Sequence, residues 1–388
     1  MDQVLATIPR EVEQLLKFVK CRRDALASTV FDPRKPRPYL HADRWLLASL
    51  LQKAIRRSDV DVARRAGHQL LYCDPSRLWR RLMVVGLEDI GIGDGEAASL
   101  LIALSALPQA RALLGSQTNA LDAAIKIACD AVKERSGDAF GSIAKEMEQE
   151  SGHSLEELPQ NAKMAVLSYG HLPWRRRLRA AFLLGREWAP AEQRKAQFME
   201  MADIFRAAGV PELLLSACLL YRGKSDDLLP LYVPLVYCLW LGQGSSRCLR
   251  TISCPSALIG EVPAYGFDPL HTRLGRRAVD VWLKSYLTRP PFSASQVAIA
   301  LWNMEAAASR HVLSWSLGEE IKEHGHAADL LNRGLAPSHH EEIAVWVSEQ
   351  ATVLHFARRA VWDVACSVRQ EATPVEIVLE EKDNSHDG

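Results

Sequence analysis

In this sequence of 388 residues, the side chains best spaced for chemistry lie between Tyr265 and Arg277, in the run Tyr-Gly-Phe-Asp-Pro-Leu-His-Thr-Arg-Leu-Gly-Arg-Arg. Asp268 stands three residues before His271, and Thr272, Arg273, Arg276 and Arg277 follow as the chain enters a helix. A carboxylate on one imidazole nitrogen raises the basicity of the other, so Asp268 can orient His271 as a general base. The three arginines can then hold a phosphate, helped by the free amides of the helix N-terminus. The plainer alternative makes Asp268 and Thr272 helix caps and the arginines a solvated face.

A second cationic cluster is Trp174-Arg-Arg-Arg-Leu-Arg179, where Arg175, Arg176 and Arg179 share one side of a helix. Such a face contacts phosphates without reading base sequence, or it pairs with acids on neighbouring helices. Arg34, Lys35 and Arg37 in a proline-rich stretch offer another positive surface. The Glu88-Asp89 pair sits beside glycines at a helix end. It can hold a metal or an arginine of a neighbouring subunit, or pair with Arg80, Arg81 or Arg57 to fix helix packing. The histidine groups His324-x-His326 and His339-His340-Glu341-Glu342 lack the i, i+4 spacing of helical zinc sites, so no metal is expected. Gly223-Lys224-Ser225 has Cys218 where a phosphate-cradling loop needs glycine, so no nucleotide cofactor is expected either.

The elements that position these residues read as helices. Between Arg44 and Arg57, Leu46, Leu47, Leu50, Leu51, Ala54 and Ile55 fall on one face, and Asp43 is placed as N-cap. Helices follow over residues 76–87, 96–107 (capped by Asp94) and 119–135. The polar stretch 136–160 reads as a boundary with room for a short helix inside, and 161–220 is again helical with breaks near Pro173, Pro190 and Pro211. The apolar run 228–241 contains Pro230 and Pro234 and reads as a broken, buried segment, too short for the roughly 20 residues that span a bilayer. Residues 242–268 form the least regular part, and helices resume over 272–287, 295–324 and 341–369.

Composition sets outer limits. A hydrophobic share of 48% with 24% charged residues is that of a packed globular chain. Lys plus Arg equals Asp plus Glu at 47 each, so any attraction to nucleic acid must come from a local patch. Eight scattered cysteines and an N-terminus without a basic start or apolar stretch point to free thiols in a reducing, cytoplasmic setting.

The stretch from His41 to about Glu134 carries Ala42-Asp43, then Leu51-Gln-Lys-Ala-Ile-Arg-Arg-Ser-Asp59, Arg80-Arg81 and Gly86-Leu-Glu-Asp-Ile-Gly91, with a fainter echo at Thr118-Asn119-Ala120. In these ordered motifs it resembles the C-terminal oligomerisation domain, or collar, of MgsA/RarA-type replication-associated recombination ATPases, bacterial relatives of the Werner-helicase-interacting protein. Asp94-Gly95 departs from the family's Asp-Pro, and Gln117 from its lysine. The resemblance implies a helical collar that forms homo-oligomers, tetramers among them, with Glu88, Asp89, Gly91 and Asn119 as its motif residues. It also implies a setting in DNA replication, repair or recombination, with a replication ATPase, clamp or polymerase as partner. No ATPase module is expected within this sequence.

The expectation is therefore an all-α protein, a clamp-loader-collar-like helical domain followed by a second helical domain. The divisions are a leading helix and arm over 1–40, a collar-like domain over 41–150, a second domain over 151–370 and a disordered acidic tail over 371–388. The expected role is a non-enzymatic assembly protein that oligomerises and docks a partner, with no membrane association. The alternatives are an enzyme acting on a phosphate-bearing substrate through Asp268–Arg277, and a regulator that competes for a partner ATPase's collar.

Overall fold

A computed structural model describes residues 9–27, 39, 42–149, 155–186, 191–242, 248–254, 256–287, 290–306 and 309–372. The fold is all-α: eighteen α-helices carry the described chain, and sheet is confined to two ribbons of two strands. The proline-rich arm with Arg34, Lys35 and Arg37, and the tail beyond Ala372, lie outside the described residues.

The first helices are α1 (Pro9–Ala27), α2 (Arg44–Arg56), α3 (Val60–Cys73), α4 (Pro75–Val85), α5 (Gly95–Ala106), α6 (Pro108–Ala112) and α7 (Gln117–Asp130), with a π-helical turn Gly86–Ile90 between α4 and α5. Their starts obey local capping chemistry. Asp43 accepts from the amides of Trp45 and Leu46, Asp94 from Ala97 and Ser116 from Asn119, each satisfying a donor that the first turn leaves open. Helix α5 is apolar all round and buried from Ala97 to Ser105, so its neighbours wrap it on every side. Helix α1 packs on it through Leu15 and Val19, both fully buried.

Next come α8 (Ser136–Gln149), α9 (Gln160–Ser168), α10 (Trp174–Arg186), α11 (Ala191–Ala207), α12 (Glu212–Arg222) and α13 (Leu229–Gly242). One sequence expectation is extended here and one changes. The short helix allowed for after Ser136 is 14 residues long, and its Phe140, Ile143, Ala144 and Met147 are buried. The apolar run 228–241 is one helix rather than a broken segment. Pro230 falls in the first turn of α13, where an amide has no partner to lose, and the helix continues through Pro234.

The irregular region carries the strands β1 (Cys248–Thr251), β2 (Leu258–Ile259) and β3 (Val262–Pro263), and the last elements are α14 (Arg273–Val281), α15 (Ala294–Ala306), β4 (His311–Ser314), α16 (Ser316–Asn332), α17 (Pro337–Glu349) and α18 (Ala351–Ala372). Strand β4 ties the two ends of the sequence together. It pairs antiparallel with β1 on one side, and on the other the Lys133 amide donates to the His311 carbonyl at 2.7 Å while the Leu313 amide donates to the Lys133 carbonyl at 3.0 Å. The larger apolar core accordingly runs from Leu15 to Trp362, taking residues from before and after position 150. A smaller core joins α14, α15, α17 and α18 through Trp282, Ile299, Leu335, Ile343 and Ala357, with Trp282 stacked on Trp346 at 5.0 Å.

Gly91 closes the π-helical turn with φ +51°, and a Cβ there would lie 2.7 Å from the Glu134 carbonyl oxygen. Both the backbone conformation and the close approach require glycine. Gly91→Ala is expected to cost about 2–3 kcal/mol, read as a lowered midpoint in urea denaturation.

Candidate functional site

Helix α2 turns its leucine face to the core, which leaves its other face along a cleft of about 1500 Å³. Trp45, Ala48, Ser49, Gln52, Lys53 and Arg56 line that cleft in succession. Eleven residues separate the first from the last, so the wall extends about 16 Å at 1.5 Å per residue. Other walls come from α8, α14, α15 and α16, and the loop before α14 closes one side.

That loop carries the residues singled out from sequence. Thr272 caps α14, accepting from the Gly275 amide at 3.0 Å and donating its hydroxyl to the Asp268 carbonyl at 2.7 Å. Gly275 makes this possible, since a Cβ at that position would lie 2.2 Å from the Asp268 carbonyl oxygen. The Asp268 carboxylate serves differently from a cap. It accepts from the amides of Leu270 and His271 at 2.9 and 3.0 Å, and lies 3.1 Å from His271 Nδ1. From a helix more than two hundred residues away, Lys53 Nζ reaches the same carboxylate at 3.1 Å and donates to the Tyr265 carbonyl at 3.0 Å. Both charged groups of that pair are almost wholly buried.

Burial works against the Asp268 charge, but the His271 hydrogen bond and the Lys53 ammonium outweigh it and hold the carboxyl far below its usual range. For Lys53, burial dominates and lowers the pKa, against the pull of Asp268 and Glu305. His271 remains 57% exposed at its side chain and lines the cleft with Arg273 and Arg276. Arg277 also points to solvent but is not among the lining residues. Thus the structure brings Asp268, His271, Arg273 and Arg276 together and leaves Arg277 outside.

The cluster around Glu88 and Asp89 forms the cleft's floor, where Gln52, Arg56, Glu88 and Arg135 line it. Asp89 is fully buried and accepts from Arg56 Nε and from Gln52 Nε2, the latter at 3.0 Å. Glu88 accepts from Arg56 at 2.6 Å and Gln52 at 2.8 Å, and Arg135 Nε lies 3.4 Å from Asp89. Burial first, then the neighbouring charges of Asp138 and Asp89, push the Glu88 carboxyl up to about 7. The expected partners Arg80, Arg81 and Arg57 are not the ones used. Arg81 donates to Gln52 at 2.9 Å, while Arg57 lies over the Tyr265 ring and donates to the Glu305 carbonyl. The reason is helical phase: Arg56 shares the face of Gln52 and Lys53, and Arg57 is carried 100° further round. Asn119 lies apart from the cleft, its amide donating to the Leu114 carbonyl at 3.1 Å.

The arginine run of α10 divides. Arg179 is buried, donating to the Met147 carbonyl and pairing with Glu156, so it offers nothing to an external phosphate. Arg175 is half-buried with Glu146 at 3.9 Å, and Arg176 is exposed. The helix carries Arg179 inward because α8 and the 155–158 turn supply acceptors there. His326 and His340 stack edge to face at 5.1 Å, and among the described residues no group of three metal-binding side chains assembles.

Ten Lys and Arg side chains line the cleft against seven Asp and Glu, in a chain whose overall charge is zero. Six of the acids are engaged within the fold, Asp268 with Lys53, Asp138 with Arg135, Asp329 with Arg333, Glu88 with Arg56, Asp227 with the Tyr221 hydroxyl and Asp43 at the start of α2, and Asp226 is 91% exposed. Among the described residues, no acid lies within ion-pair range of Arg81, Lys145, Arg273 or Arg276, all of which line the cleft. Trp45, half-exposed, and Trp302, beneath Arg333 at 4.5 Å, add two indole rings. Sequence reasoning missed Lys53, Lys145 and both tryptophans, since each sits in an ordinary helical context and gains meaning only from the opposite wall.

No family model, curated protein or solved structure matches the chain. Among the described residues no helix is long and apolar enough to cross a membrane.

Proposed function

We propose that the chain binds single-stranded nucleic acid along this cleft. The observation that carries the reading is the convergence of Arg81, Lys145, Arg273 and Arg276, without acidic partners among the described residues, on a trench walled by one face of α2. The cleft's volume is about 1500 Å³. Strand binders combine such a positive groove with aromatic rings, and Trp45 and Trp302 line the cleft here, each with one face under an arginine, Arg77 at 3.9 Å and Arg333 at 4.5 Å. The volume also exceeds the 300–1,000 Å³ typical of small-ligand pockets. Titrating a labelled single strand against the chain and an Arg273→Ala/Arg276→Ala variant tests this. A loss of tenfold or more in affinity is expected, since each charge-assisted contact contributes about 1.5–3 kcal/mol. Undiminished binding would move the ligand elsewhere.

An accessory role in replication, repair or recombination, within an oligomer or beside a partner ATPase, follows only from the collar resemblance. Its motif residues Glu88 and Asp89 bind Arg56 and Gln52 of the same chain, so they favour a cleft floor over a subunit contact. Strand binding fits that setting without requiring it.

A further inference from the structure

His271 has its two ring nitrogens in different surroundings. Nδ1 lies 3.1 and 3.2 Å from the two Asp268 oxygens, whereas the far edge of the ring borders the cleft. An aspartate that merely shaped the helix entrance would not need a charged partner. Here Lys53, brought in by α2, is buried against the same carboxylate at 3.1 Å, and Arg273 and Arg276 follow on the first turn of α14. Trp302 flanks the imidazole at 6.0 Å between centroids. A base, a buried carboxylate that orients it and two cations beside it are groups that phosphoryl transfer to water uses.

We infer that His271 is the general base of a phosphodiester hydrolase site in this cleft. The activity rests on the strand-binding reading and extends it. Water attacks phosphorus, and a new P–O bond forms as the bond to the leaving ester oxygen breaks. Nε2 of His271 takes the proton of the attacking water and later releases it to solvent, while the leaving oxygen, on the opposite side of phosphorus, takes its proton from solvent water. The products are a phosphomonoester and an alcohol, with water as sole co-reactant and no change of oxidation state. Asp268 holds the ring with Nε2 free and stabilises the transient imidazolium, as a positioning residue. Arg273 and Arg276 face the phosphoryl oxygens as their charge grows.

The experiment follows a fluorescent single-stranded oligonucleotide for both binding and cleavage, with bis(p-nitrophenyl) phosphate as a second substrate. The full chain and His271→Gln are compared, and thermal melts check that the variant folds. Cleavage is expected from the full chain and a loss of about a hundredfold or more in His271→Gln, the usual worth of a general base. The pH–rate profile should show one group that must be deprotonated and that is missing from the residual rate of the variant. A strand bound but not cleaved overturns the inference and leaves strand binding standing. No binding overturns both. Equal cleavage by His271→Gln also overturns it, because the base would then be another group.

Discussion

Replacing Asp268 with alanine is expected to destabilise the chain by about 3–5 kcal/mol, the usual penalty for leaving one member of a buried ion pair alone. Lys53 would keep only the Tyr265 carbonyl, with its ammonium still out of water. The loss should be far smaller in the double variant Lys53→Met/Asp268→Leu, because removing both charges leaves no stranded ion. Urea denaturation of Lys53→Met, Asp268→Leu and the double variant checks this as a coupling energy. The pH dependence has a definite sign. The folded carboxyl lies below its unfolded value, so the stabilisation is fully present above the unfolded pKa of about 4 and is lost as pH falls towards the folded pKa. The midpoint of the unaltered chain should therefore decline steadily below about pH 4, and this component of the decline should vanish in the double variant.

Arg56→Ala is expected to have an effect of similar size, about 3–5 kcal/mol, for a related reason. Asp89 is fully buried, and its strongest partner is the Arg56 guanidinium, which also bridges to Glu88. Without it, two adjacent carboxylates would face Gln52 and a more distant Arg135. Arg56→Lys should recover only part of the loss, since an ammonium cannot offer the planar fork that reaches both carboxylates. Thermal melts of the two variants, measured side by side, would show the ordering. A melting temperature in Arg56→Ala equal to that of the unaltered chain would contradict the assignment of this cluster as the cleft's floor.

Local chemistry made much of this fold legible. The leucine stripe of α2 with Asp43 before it, the Asp94 cap of α5 and the Thr272 cap of α14 all depend on residues within a few positions of each other. The Asp268–His271 contact was legible for the same reason, at a spacing of three. What stayed hidden depends on distant partners. Lys53 reads as an ordinary helical lysine until the loop before α14 closes over it. The 136–149 stretch looks polar because its apolar residues are few, yet α16 packs over them and buries them. Arg179 looks like a surface cation, and only the carbonyl of Met147 explains why it turns inward. The acid pair at Glu88-Asp89 was found, but the choice of Arg56 over Arg57 rests on which face of α2 meets the π-helical turn.

The most direct test of strand binding is the salt dependence of single-strand affinity, measured by fluorescence anisotropy across a range of salt concentrations. Four cleft cations contacting phosphates predict that log K falls with log salt at a slope of about −3, from about −0.7 per contact on a single strand. Arg273→Ala/Arg276→Ala should reduce the magnitude of that slope by about 1.4 as well as weaken binding. Absence of binding at low salt, or a slope that the double variant leaves unchanged, would contradict strand binding in the cleft.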